Sequence, residues 1–159
     1  MMRPNSLRIL CSVIALLALY IAMASLMTMR ELLDARFYYS ATEASGFFAA
    51  LSPAKAHLYL KHQLLDLLFL SSYSVLSFSV VEVLFPKSLR MKIFAIVPGV
   101  FDLIETGSII AILLGAPTTI FAGWLGFATL LKWVTGCLLI FIILSRMIWT
   151  FKANLTSAT

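Results

Sequence analysis

The chain has 159 residues, 62% of them hydrophobic and 12% charged, with a mean hydropathy of +1.01. A soluble domain is about half apolar and about a quarter charged, so a soluble globular protein, a disordered tail and a free-standing nucleic-acid module are all excluded. The net charge of +5 comes from 12 Lys and Arg against 7 Asp and Glu. The basic residues flank apolar runs, which points to membrane topology and anionic lipid rather than nucleic acid.

The first apolar run, 9–29, carries no charge and spans about 30 Å as a helix, enough for one crossing. Ala22-Met23-Ala24 resembles a signal-peptidase site. The length of the run favours a retained helix. Residues 30–61 form the one long connection. Its charges are mixed with the aromatic clusters Phe37-Tyr38-Tyr39 and Phe47-Phe48, so a structured interfacial or re-entrant segment is expected. Ser52-Pro53 is a helix start, with Ser as N-cap and Pro in the first turn. That helix can run straight into a second crossing at 62–85, stopped by Pro86.

A basic link with Lys87, Arg90 and Lys92 leads to a third crossing at 93–114, ended by Gly115-Ala116-Pro117. The fourth crossing is 120–149, longer than a bilayer needs. The expected fold is therefore all-α, one membrane domain over 1–159, a four-transmembrane-helix bundle with a structured outer segment. Cytoplasmic termini put seven basic residues inside (Arg3, Arg8, Lys87, Arg90, Lys92, Arg146, Lys152) and four outside (Arg30, Arg36, Lys55, Lys61). Asn154-Leu155-Thr156 matches a glycosylation sequon but would then face the cytoplasm. Cys11 and Cys137 lie in apolar runs and read as packing residues, not a disulfide.

Ionisable groups at membrane depth need a partner, water or a purpose. Asp66, Asp102, Glu105 and Lys132 fall there, while Glu82 lies near the cytoplasmic end of its crossing. At helical rise, Glu105 and Lys132 both sit about 14 Å below the outer boundary, matched in depth and opposite in charge. Asp102 and Glu105 share a face. His62, Asp66, Tyr73 and Ser77 form one stripe, and Thr129, Lys132 and Gly136 another. Turning these stripes inward makes one polar centre. Gly107, Ala111 and Gly115 form a small-residue stripe that would admit a close neighbour.

Three carboxylates and one lysine do not balance, so at least one carboxylate is expected to be protonated, hydrated or facing a ligand. The bland alternative is an ion pair between Lys132 and Glu105 or Asp102, with Asp66 bonded to Tyr73 or Ser77. A sharper alternative is a metal centre of His62, Asp66, Asp102 and Glu105, against which His62 lies well above Asp102. No nucleophile elbow, phosphate loop, haem motif or redox pair is present, and no cofactor is implied.

Three segments together carry a resemblance: Leu32-Leu33-Asp34-Ala35-Arg36-Phe37, Asp66-Leu67-Leu68-Phe69 followed by Tyr73, and Pro98 followed by Asp102-Leu103-Ile104-Glu105-Thr106. They resemble a group of small bacterial four-helix membrane proteins with Asp-x-x-Phe-x-x-x-Tyr on the second helix and Asp-x-x-Glu-Asn on the third. Thr106 stands where that pattern has Asn. The resemblance implies a bacterial inner membrane and marks Asp66, Tyr73, Asp102 and Glu105, but carries no activity. The expected function is a ligand-binding or accessory membrane protein with a buried acidic centre. Its partners would be membrane lipid and a second copy or larger membrane protein. The alternatives are an intramembrane enzyme acting on a lipid-like substrate and a small proton-coupled transporter.

Overall fold

A computed structural model describes residues 4–156, all-helical apart from turns and connections. Arg3 lies outside the described residues. Four stretches are long and apolar enough to cross a membrane: α1 (Pro4–Leu26), α3 (Pro53–Leu84), the pair α4 (Leu89–Phe94) and α5 (Val97–Leu113), and α6 (Thr118–Thr156). A short amphipathic helix, α2 (Ala41–Ala50), lies between the first two.

Local chemistry sets the boundaries. The first helix starts earlier and ends earlier than expected, at Leu26, because residues 29–31 form a tight 3-10 turn. There Glu31 accepts hydrogen bonds from the Thr28 amide (3.2 Å) and hydroxyl (3.0 Å). Ser52 does cap α3, accepting from the Lys55 amide, and Pro53 opens it. The helix then runs unbroken for 32 residues. The expected third crossing at 93–114 falls on the apolar stretch Leu89–Leu113, which is two helices rather than one. The chain breaks after Phe94 and α5 begins at Val97, with Pro98 in its first turn, where a missing N–H costs nothing. Gly115 ends the turn after α5 in the left-handed region, φ 102°, and the Ala116 amide reaches back to Ala111 O at 2.9 Å. The last helix is longer than 120–149, extending to Thr156 and so including the sequon.

The helices alternate in direction. Arg8 near the start of α1 meets Glu82 near the end of α3 at 3.9 Å, and Glu82 also pairs with Lys92 at 3.6 Å. The Arg146 guanidinium lies over the rings of Phe85 and Trp149. Both ends of the described chain are therefore at one end of the molecule, the terminal end. α1 packs along α3, α3 against α5, and α5 against α6. Val81, Ala95 and Leu139, flanked by Phe85, Met91, Phe94 and Ile143, form an apolar cluster in the terminal half.

At the opposite end, residues 27–51 fold back over α3, α5 and α6 as a lid. Leu32, Leu33, Tyr39 and Ala44 are buried with Tyr59, Ile109, Ile112, Ala122 and Leu125 in the largest apolar cluster. The expected structured connection is thus present, and it is part of the core. A reciprocal cap starts α2: Ser40 Oγ accepts from the Glu43 amide at 3.2 Å, and the Glu43 carboxylate accepts from the Ser40 amide at 2.7 Å. That backbone hydrogen bond, then the Ser40 side chain, holds the Glu43 carboxyl below its ordinary value of 4.5. A lowered folded value means the cap is complete above the ordinary value and weakens as pH falls through the folded one. The Ser40 amide resonance is expected to titrate with a midpoint below 4.5. A midpoint at or above it would mean that the reciprocal cap does not form in solution.

Two glycines permit close approaches, neither on the predicted stripe. A Cβ at Gly99 would lie 2.2 Å from Ser74 Oγ, and one at Gly126 would lie 1.7 Å from the Tyr39 carbonyl oxygen. Gly107 and Gly115, on the small-residue stripe, have open space at their Cβ positions, so among the described residues neither receives a close neighbour. Cys11 and Cys137 are free thiols on exposed helix faces, which corrects their reading as packing residues.

Candidate functional site

The polar stripes of α3, α5 and α6 do meet, at the level where the lid enters. On α3 the buried face reads Tyr59, His62, Gln63, Asp66 and Leu70 at helical spacing, with Tyr73 half-buried one turn on. α5 presents Asp102, Glu105 and Thr106, all buried, and α6 presents Thr129 and half-buried Lys132. The lid adds Asp34, also buried, and Tyr39.

Lys132 is the hub. Its Nζ lies 2.6 Å from Glu105 Oε2 and 3.0 Å from Asp102 Oδ1, and it donates to the Asp34 backbone carbonyl at 3.4 Å. The expected ion pair is therefore with both α5 carboxylates, not one of them. Glu105 Oε1 accepts from the Tyr39 hydroxyl at 3.0 Å and from the Thr129 hydroxyl. Asp102 Oδ2 accepts from the Tyr73 hydroxyl at 2.8 Å.

Asp66 departs from expectation. Its partner is Thr106, whose hydroxyl donates to Oδ2 at 2.8 Å, while Tyr73 belongs to Asp102. The residue that departs from the pattern of the resembled group is thus itself a donor into the centre. Asp34 is held by Tyr59 OH at 2.7 Å and Gln63 Nε2 at 3.0 Å. Burial, followed by the Glu105 charge, pushes the Tyr39 phenol well above its ordinary value, so it remains a donor.

Asp34, Tyr39, Tyr59 and Gln63 were not expected at the centre. The signal was present for two of them: carried back from Asp66, the helical stripe passes through Gln63 and Tyr59 once α3 is known to start at Pro53. Asp34 and Tyr39 lie on irregular chain, where no periodicity assigns a face. His62 is buried, with its ring 6.4 Å from that of Tyr59. Among the described residues, no group of three or more His, Cys, Asp and Glu gathers to hold a metal ion, so His62, Asp66, Asp102 and Glu105 do not form the metal centre considered above.

The arrangement is four buried carboxyl groups and one ammonium: Asp102 and Glu105 pair with Lys132, Asp34 is held by Tyr59 and Gln63, and Asp66 by Thr106. Such a site can hold protons or a cationic group. The chain matches no family model, no curated protein and no solved structure.

Proposed function

We propose that this chain is a multi-span membrane protein, a four-helix bundle of the bacterial inner membrane, whose buried acidic centre binds a ligand from the lid side. The four long apolar helices support membrane embedding, as do large exposed side chains such as Ile21, Trp124, Phe141 and Phe151, which water solvates poorly. The excess of basic residues at the terminal end favours that end inside. The bacterial inner membrane is the location the resemblance implies.

The observation that carries the binding reading is the charge imbalance: four carboxyl groups are buried near one ammonium, and only those of Asp102 and Glu105 are paired with Lys132. Packing alone does not require a surplus of acids at depth, each of which costs about 2.5 to 3.5 kcal/mol on insertion scales. Binding from one side is favoured over a through-path because the apolar cluster of Val81, Ala95 and Leu139 lies between the centre and the terminal end.

The test is the thermal stability of purified protein in detergent. A carboxylate kept for function is held at the expense of stability. Asp66→Asn keeps the shape and the Thr106 hydroxyl contact, and is expected to be as stable as the wild type or more so. A loss of about 3 kcal/mol or more, the scale of a broken buried pair, would make Asp66 a structural residue and end the binding reading.

A further inference from the structure

The four carboxyl groups do not share their partners evenly. Asp102 and Glu105 share the one ammonium of Lys132 and carry hydroxyl donors besides. Asp34 has a donor on each oxygen. Asp66 has one hydroxyl donor, Thr106, and that on Oδ2; among the described residues no ion pair reaches it and no hydrogen bond reaches Oδ1.

The next turn of α3 toward the lid holds two more open positions. His62 and Gln63 precede Asp66 by four and three residues, so all three lie on one helix face. They are deeply buried, with 4%, 0% and 7% exposure for His62, Gln63 and Asp66. His62 Nδ1 and Gln63 Oε1 have no hydrogen-bond partner. The orientation of Gln63 is fixed, because its Nε2 donates to Asp34 Oδ2. Its free atom is therefore the carbonyl oxygen, an acceptor. An imidazole carrying its proton on Nε2 makes Nδ1 an acceptor as well.

Gln63 Oε1 and the Asp66 carboxylate, which has no ion pair among the described residues, are unfilled acceptors on one buried face, and the Nε2–H tautomer of His62 adds a third; their complement is a compact group that is positively charged and presents several N–H donors. Buried acceptors left unfilled are costly, which makes such a group a stabilising occupant. Resting on the reading that the acidic centre binds a ligand, we propose that His62, Gln63 and Asp66 form a recognition site for a primary ammonium group, R–NH₃⁺. A metal ion is the poorer complement, because one carboxylate and one imidazole do not make a ligand set. A quaternary ammonium has the charge but no donors, which makes it the discriminating control.

The bearer of the ammonium is either a free small amine or the amino headgroup of a lipid. The experiment is a thermal-shift series on full-length protein in detergent, with methylammonium chloride against tetramethylammonium chloride at equal ionic strength. It is paired with the same measurement in nanodiscs of phosphatidylethanolamine or phosphatidylcholine. A ligand that binds only the native state raises the midpoint saturably. Methylammonium or the ethanolamine lipid is expected to do so, and the quaternary counterparts are not. A response to methylammonium assigns a free amine; a response confined to the ethanolamine lipid assigns a headgroup. Asp66→Asn is expected to weaken the response at least tenfold, and His62→Gln, as a second variant, to weaken it in part.

Equal responses to primary and quaternary cations, or a wild-type response that Asp66→Asn retains, would overturn the proposal. So would no response to either primary amine while Asp66→Asn remains as stable as the wild type; in that case the centre still binds something, but not an ammonium. Severe destabilisation by Asp66→Asn would instead remove the binding reading on which the proposal rests.

Discussion

Gly126→Ala is expected to lift the lid. The added Cβ would lie 1.7 Å from the Tyr39 carbonyl oxygen and 2.9 Å from its carbon. Those atoms are backbone and cannot rotate away, so either α6 moves or residues 27–51 do. Movement of the lid breaks the Tyr39 hydroxyl bond to Glu105, the Trp133 indole bond to the Arg36 carbonyl (3.0 Å) and the Lys132 contact with the Asp34 carbonyl. Overpacking costs about 1 to 3 kcal/mol, and a lost hydrogen bond to a charged group about 1.5 to 3 kcal/mol. A loss on the order of 3 to 5 kcal/mol is expected. Hydrogen exchange in residues 27–51 should accelerate before the long helices open. Gly136→Ala, on the same helix with nothing within 4 Å of its Cβ position, is the control. If the two variants behave alike, the close approach at Gly126 does not hold the lid.

Lys132→Met is expected to be as damaging for a different reason. It removes the one cation shared by Asp102 and Glu105, both buried. Breaking a buried pair by removing one partner costs about 3 to 5 kcal/mol, because the other charge is left uncompensated. Two stranded carboxylates place the loss at the upper end of that range. Adding Glu105→Gln should recover part of the stability, since Asp102 would still face only the Tyr73 hydroxyl. Adding Asp102→Asn as well should recover most of it. Denaturant or thermal unfolding of the four proteins in one detergent checks the series. A single variant as stable as the wild type would mean that the carboxylates are already neutral and that Lys132 is not their counter-charge.

The long helices were legible because their signals are local. An uncharged run, a Ser-Pro start and a Gly-Ala-Pro stop act within a few residues. The break between α4 and α5 was missed because hydropathy continues through Ile93-Phe94-Ala95-Ile96. The physical marker was Pro98, which fits a first turn better than a helix interior. Asp66, Asp102, Glu105, Lys132 and Tyr73 stood out as polar groups in apolar surroundings. The pairing of Lys132 with the α5 carboxylates was legible from matched depth and opposite charge, but the hydroxyl partners were not, since two helix faces fix a shared level but not a partner. Thus Tyr73 reached Asp102, and Asp66 was left to Thr106. Asp34 and Tyr39 were hidden for a deeper reason. Their burial depends on the path of an irregular segment, and that path is set by Gly126, which lies far along the chain.

This dependence has a consequence for how the molecule is made. The Trp133 bond to the Arg36 carbonyl spans 97 residues, the Lys132 contact with Asp34 spans 98, and the Tyr39 bond to Glu105 spans 66. A ribosome synthesises residues 27–51 long before any of these partners exists. During that interval Leu32, Leu33 and Tyr39, which end up buried, have no α6 to cover them. Lid closure is thus one of the last steps of assembly, and the cost of closing so long a loop falls there. A nascent chain halted before α6 would hold three of the four long apolar stretches and an unclosed segment exposing apolar side chains, the kind of intermediate that chaperones and proteases engage.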